Sequence, residues 1–275
     1  MIHLLLAALA LAAPSFDYDA SAPLEVREAA VIQERGVVVH DLSFAAPSGE
    51  RVPAYLVLPP GDGPFPAALA APGSGGGRDA GLGDGVELAR RGIAVLTIDP
   101  PNTRPGHRGL FACSDADRND YVEYVKELRR GLDLLAARPE IDRARLGYTG
   151  FSYGAAVGGT LVGVDHRLKA VVLQSGSGRL STLAGPACKP RLSKSRLAAY
   201  VRGLRDVDPV GYVGRAAPAA LLLQNGRNDY TYPRRDVLAL HRAASAPKTI
   251  RWYRTTHGLS AAALVQRDDW LVAHI

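Results

Sequence analysis

Arg145-Leu146-Gly147-Tyr148-Thr149-Gly150-Phe151-Ser152-Tyr153-Gly154, followed by the small-residue run Ala155-Ala156-Val157-Gly158-Gly159-Thr160-Leu161, decides how this chain is read. The opening five residues have strand character, and the run after Gly154 has helix character. A Gly-x-Ser-x-Gly where a strand turns into a helix is a nucleophile elbow. The serine sits on a strained turn with its hydroxyl clear of the sheet edge. The flanking glycines let neighbouring backbone pass without Cβ clashes. The helix that follows offers free N–H groups and the positive end of its dipole to a developing oxyanion. Ser152 is therefore expected to be a nucleophile.

A serine hydroxyl needs a base. Of the seven histidines, His257 lies in Thr255-Thr256-His257-Gly258, just past the strand-like Thr249–Tyr253 and before the last helix-like segment. Loops beyond the C-terminal ends of parallel strands are where open α/β sheets place their sites. His107, in a loop after a strand ending at Ile98, is the rival base. His3, His40, His166, His241 and His274 fall in the leader, in a hairpin strand, beside helix ends and at the C-terminus. Behind such an elbow the chain order is serine, acid, histidine. Asp229, in Gln224-Asn225-Gly226-Arg227-Asn228-Asp229 beyond the strand Ala219–Leu223, is expected to orient the imidazole. Asp206 and Asp208 precede that strand and suit capping or surface pairing better. The oxyanion would take one amide from Tyr153 and a second from the loop Pro72-Gly73-Ser74-Gly75-Gly76-Gly77, at Ser74 or at Gly75.

The surrounding chain supplies the frame. Val37–Phe44 and Arg51–Leu58 alternate about the turn Ala46-Pro47-Ser48-Gly49 and predict an antiparallel hairpin. Pro53 suits an edge strand. Pro66–Ala71, Gly92–Ile98, Arg145–Thr149, Lys169–Gln174, Ala219–Gln224 and Thr249–Tyr253 are further strands, several of them continuously apolar as in a parallel sheet covered on both faces. Helices are expected over Gly83–Arg91, Asp117–Arg138, Ser152–Val162, Pro233–Ala244 and Leu259–Val272. In the longest, Tyr121, Val125, Leu128, Leu132 and Leu135 form one apolar stripe, and Pro139 ends it. Residues 177–206 break the rhythm and read as a small cap-like insertion.

A chain of 275 residues with 47% hydrophobic and 22% charged content suits one large α/β domain. The formal charge of +6 is spread along it. Its densest basic stretch, Lys189 to Arg205, holds a single aromatic residue, Tyr200, and so lacks the interleaved aromatics of a base-stacking site; it reads as solvated surface and not as a nucleic-acid site. No apolar run reaches the roughly 20 residues of a membrane span, so stable membrane insertion is not expected. The run Leu4 to Ala13 has signal-peptide length, with small residues at Ala10 and Ala12, but its n-region has no Lys or Arg. Residues 1–20 are thus expected to be a signal peptide or disordered leader, the domain to occupy 21–275, and the protein to be exported. Cys113 and Cys188 both fall in predicted loops. In an oxidising compartment they are free to pair, and otherwise they are ordinary thiols.

A different enzyme class is also encoded in outline. Gly75-Gly76-Gly77-Arg78-Asp79-Ala80 satisfies Gly-x-Gly-x-x-Ala, and Asp99 ends the next strand at a distance suited to a dinucleotide ribose. A hairpin precedes it, however, where a dinucleotide fingerprint belongs after the first strand. No Tyr-x-x-x-Lys pair supplies hydride chemistry.

Taken in order, Pro72-Gly73-Ser74-Gly75-Gly76, the elbow Gly150–Gly154, Gly226-Arg227-Asn228-Asp229 and His257-Gly258 resemble the α/β-hydrolase superfamily. Within it the chain resembles the bacterial branch of dienelactone hydrolases, acetyl xylan esterases and prolyl-oligopeptidase-like domains. Arg51–Pro59 and Gly63–Ala67 are similar to that branch's opening hairpin. Pro72 stands where the branch usually has histidine, and Ser152 where dienelactone hydrolases carry cysteine. The resemblance implies an α/β-hydrolase fold, a mainly parallel eight-stranded sheet with an N-terminal antiparallel hairpin, helices on both faces and a small insertion after the sixth strand. It further implies a serine hydrolase acting on a small-molecule acyl substrate, a carboxylic ester before a peptide, without a cofactor. Acyl transfer by the same three residues, and a non-catalytic binding module on the same fold, are the alternatives.

Overall fold

The computed structural model of the protein describes residues 14–107 and 109–275. The apolar run Leu4 to Ala13, expected as part of a leader, lies outside the described residues. Contacts with the rest of the chain are made from Phe16 onward. Phe16 is buried, its carbonyl accepts from Arg129 at 2.7 Å, and the Tyr18 hydroxyl donates to Asp133 at 2.7 Å.

The strands are β1 (Arg27–Glu34), β2 (Val37–Ala45), β3 (Arg51–Leu58), β4 (Phe65–Ala71), β5 (Ala94–Ile98), β6 (Ile141–Phe151), β7 (Leu168–Gln174), β8 (Ala220–Gly226) and β9 (Lys248–Tyr253). They form one sheet in the order β1-β2-β3-β5-β4-β6-β7-β8-β9. β1, β2 and β3 are antiparallel, β3 meets β5 antiparallel, and every later pairing is parallel. The sheet therefore has nine strands, not eight. The extra one is β1, which is exposed along almost its whole length and so carries none of the inside–outside alternation that marked its neighbours. The insertion accordingly follows the seventh strand.

The helices are α1 (Arg78–Arg90), α2 (Asp115–Ala137), α3 (Tyr153–Leu161), α4 (Leu180–Cys188), α5 (Lys194–Arg205), α6 (Arg234–Ala243) and α7 (Ala261–His274). Alternate residues along one strand serve opposite layers. In β7, Ala170 and Val172 join Leu88 of α1 and Leu271 of α7 in one cluster. Val171 and Leu173 point the other way, into the large cluster that holds Tyr121, Leu128 and Leu132 of α2 and Val157 and Leu161 of α3. This two-sided burial explains why the central strands are continuously apolar.

Cys113, in the loop before α2, is bonded to Cys188, the last residue of α4, with Cα atoms 5.5 Å apart. Cys188 thus closes a helix and does not sit in a loop. The bridge spans 75 residues and ties the helical insertion to the β5–α2 connection. A closed loop of that length removes much freedom from the unfolded chain, and native bridges of this kind contribute roughly 2–4 kcal/mol. The paired Cys113→Ser, Cys188→Ser variant should lose stability of that order in urea unfolding, with unchanged secondary structure by circular dichroism.

Candidate active site

β6 delivers Ser152 to the C-terminal edge of the sheet, between β4 and β7. Its backbone is at positive φ, 54°, with ψ −109°, which costs a non-glycine residue of order 1–3 kcal/mol. The surroundings hold it there. The Ser152 N–H donates to Gln174 O at 2.8 Å, and the Gly154 N–H donates to Pro72 O at 3.0 Å. Glycine is obligatory at that second position, because a Cβ on residue 154 would stand 2.3 Å from Ala71 O. The turn is thereby clamped against the end of β4.

β8 ends at Gly226 and β9 at Tyr253, and the loops that follow are laced together by backbone. The Arg227 N–H donates to Tyr253 O at 2.8 Å and the Asn228 N–H to Thr255 O at 3.0 Å. A Cβ on Gly226 would lie 2.0 Å from Thr256 O, so only glycine permits this approach. The lacing sets Asp229 beside His257. Asp229 Oδ2 is 2.9 Å from His257 Nδ1, while its Oδ1 accepts from the Thr231 N–H at 2.8 Å. On the other side of the ring, His257 Nε2 is 2.8 Å from Ser152 Oγ. The His257 carbonyl accepts from the Ser175 hydroxyl at 2.7 Å, which fixes the loop against the end of β7. Carboxylate, imidazole and hydroxyl are therefore in one hydrogen-bonded line. The Asp229 side chain is 4% exposed and Ser152 is 6% exposed, whereas the His257 side chain is 23% exposed, so the imidazole is the member of the line most open to solvent.

The expected oxyanion donors are near that line. Tyr153 is the first residue of α3, where a backbone N–H has no partner within the helix. Gly73 lies against the elbow: a Cβ there would sit 3.5 Å from Ser152 Cβ. The turn closed by Gly76 N–H to Gly73 O at 3.1 Å carries Ser74 next to that contact. Gly75, at φ 79°, has open space around it.

The rivals are engaged elsewhere. His107 Nδ1 lies 3.3 Å from Asp120 and its Nε2 3.8 Å from Glu50. Asp208 accepts from both the backbone and the hydroxyl of Ser181 at the start of α4, and Asp206 caps α5. Asp99, the candidate ribose acid, accepts from the Arg78 N–H at 2.7 Å at the start of α1, and Arg78 also pairs with Asp41. The glycine-rich fingerprint is thus a helix start capped by its own chain. Among the described residues no cluster of three or more His, Cys, Asp or Glu side chains is arranged to hold a metal ion.

Two residues at the site escaped the sequence reading. Tyr232 is 4% exposed, with its hydroxyl 3.5 Å from Ser152 Oγ and its ring 5.5 Å from the His257 ring. Burial pushes its phenol up from the ordinary value, so it remains a proton donor. Phe151 lies 5.1 Å from His257 on another side. The spacing Asp229-x-x-Tyr232-Pro233, with Pro233 entering α6, is the local signal for Tyr232. A pocket of about 310 Å³ adjoins the elbow, lined by Pro72, Gly73, Ser74, Ala80, Gly150 and Phe151 among others.

His241 supports the acid loop from below. It is buried in α6, with Nε2 2.8 Å from Asn225 Oδ1 near the end of β8. Burial first, then Lys248 and Arg234, lower its pKa from 6.5 to about 4. A histidine held neutral in the fold favours unfolding once the unfolded chain takes up its proton. Its contribution is complete above about pH 6.5 and is lost as pH falls toward 4. His241→Gln should flatten the fall in unfolding free energy between those limits, as read by urea titrations at several pH values.

The fold is that of the α/β-hydrolases. The family model for FrsA-like esterases matches residues 18–192, more than half of the chain. The chain belongs to that family. Esterase FrsA of Salmonella typhimurium is 29% identical over 257 residues, covering 85% of this chain and 58% of the relative. The chain thus spans less than two thirds of the length of the curated relatives it matches. Among solved structures, an acetyl xylan esterase from Paenibacillus sp. R4 superposes with TM-score 0.77 at 18% identity, covering 92% of this chain and 90% of that one. Acetyl xylan esterase 1 from Thermoanaerobacterium sp. gives TM-score 0.78 at 17% identity, covering 92% and 89%. At that identity the likeness is one of fold.

Proposed function

We propose that this protein hydrolyses carboxylic esters through Ser152, His257 and Asp229. The observation that carries this reading is the unbroken line Asp229 to His257 to Ser152, with contacts of 2.9 and 2.8 Å. His257 Nε2 takes the hydroxyl proton as Ser152 Oγ attacks the ester carbonyl. The backbone amides of Tyr153 and Ser74 receive the oxyanion. Asp229 holds the Nδ1–H tautomer and stabilises the imidazolium. His257 then protonates the leaving alcohol, and water, deprotonated by the same nitrogen, releases the acid from the acyl-enzyme. The Tyr232 hydroxyl faces the same reaction volume and donates to the attacking or departing oxygen.

p-Nitrophenyl esters of graded length test this. The wild type should release p-nitrophenol from at least one of them. Ser152→Ala should lower kcat by about 10⁴ or more, and Asp229→Asn by about 10³–10⁴. Equal turnover by wild type and Ser152→Ala would remove Ser152 from the reaction. Tyr232→Phe should lower kcat several-fold with KM little changed, since only a hydroxyl aimed at the reacting oxygens is lost.

We further propose export. The apolar run from Leu4 to Ala13 and the Cys113–Cys188 bridge both suit an oxidising compartment. Intact-mass measurement of the protein recovered from a secreting bacterial host should show a chain starting after Ala10 or Ala12. A full-length mass would oppose it.

A further inference from the structure

β1 is the outer edge of the sheet. It pairs with β2 on one side and, among the described residues, with no strand on the other. Edge strands that stay alone are commonly short, charged along their length or covered. β1 has eight residues, and its Val31 and Ile32 are 52% and 51% exposed. Val26, just ahead of it, is 45% exposed.

The sequence Arg27-Glu28-Ala29-Ala30-Val31-Ile32-Gln33-Glu34 has a basic end, an acidic end and an apolar middle. Neither Arg27 nor Glu34 has a side-chain hydrogen bond or ion pair among the described residues, although Glu28 pairs with His40 and Arg35 with Glu87. Antiparallel to itself, this strand is complementary in charge.

The backbone permits that pairing in one register. The two-residue turn Arg35-Gly36, with φ 50° and 85°, makes Glu34 and Val37 the closing hydrogen-bonded pair of the β1–β2 hairpin. Alternation gives Ile32–Val39 and Ala30–Asp41 the same role, so the N–H and C=O of Val31 and Gln33 point to the open edge. The register shift between Glu28 and Ala30 inserts Ala29 as an extra residue. Glu28 thereby joins the outward set, and Arg27 bonds inward. A twofold axis at Val31 then sets Val31 against its own copy, Gln33 against Glu28 and Glu34 against Arg27. Without the bulge the same axis would oppose Glu34 to Glu28, two like charges. The inserted residue is what makes the edge self-complementary.

We propose that β1 is a homodimer interface, in which a second copy of this chain adds its own β1 antiparallel across a twofold axis at Val31 and continues the sheet. The contact is isologous and closes on itself. The proposal is independent of the chemistry at Ser152, which lies five strands away, roughly 25 Å at about 4.8 Å per strand.

Sedimentation velocity of the full chain across a wide concentration range tests it, with circular dichroism to verify that each variant is folded. The wild type should show a dimer. Arg27→Glu and Glu34→Arg should each weaken it by about tenfold or more in Kd, and the double exchange should restore it. Val31→Pro removes only an N–H that faces outward, so it should give a folded monomer. A monomeric wild type overturns the proposal, as does a dimer indifferent to Val31→Pro or a charge exchange that fails to rescue. A monomer that instead captures an extended peptide along β1 also overturns it, by assigning the edge to another partner.

Discussion

The left-handed backbone of Ser152 is the constraint on which the rest of the site depends. A residue at φ 54° persists only where its neighbours over-determine it. Here the strand before it is buried at the centre of the sheet, the helix after it packs on the same core, and the bond from the Gly154 N–H to Pro72 O pins the turn between them. The strain raises the hydroxyl out of the sheet edge. The first amide of α3 follows Ser152 directly, and the turn at Gly73 lies against it. One local distortion therefore positions both the proposed nucleophile and the proposed oxyanion donors.

The base and acid are held differently. Neither is on a strained residue, and both sit in loops fastened to one another by main-chain hydrogen bonds. Gly226 makes this possible, because the Asp229 loop crosses the His257 loop at a distance that excludes any Cβ. The Ser175 hydroxyl then anchors the His257 loop to the neighbouring strand end. Parallel register between β6, β7, β8 and β9 brings three sequence-distant segments to one rim. The helical insertion adds a further restraint, since its disulfide reaches back to the start of α2.

The chain exposes some of this openly and hides the rest. β4, β6, β7 and β8 were legible because strands buried on both faces must be apolar at every position. The elbow was legible because its two glycines answer a local steric need. β1 was not, because an exposed edge strand has no buried face to impose alternation. Tyr232 was not, because its proximity to Ser152 arises from 80 residues of intervening fold and leaves no periodic trace. The Gly-x-Gly-x-x-Ala segment misdirects in the opposite sense: its glycines and Asp99 serve one helix start, where Asp99 caps α1 and a Cβ on Gly77 would strike its carboxylate at 2.5 Å. The same residue types suit a dinucleotide, and only the contacts decide between the two uses.

The central claim is that the hydroxyl of residue 152 is made nucleophilic by the imidazole of residue 257. Labelling with a fluorophosphonate, followed by peptide mass spectrometry, addresses it directly. The account predicts a single phosphonyl adduct on Ser152 in the native protein, formed far more slowly in His257→Ala and not at all after denaturation. An adduct on another side chain, or labelling of Ser152 at an equal rate without the imidazole, would contradict it.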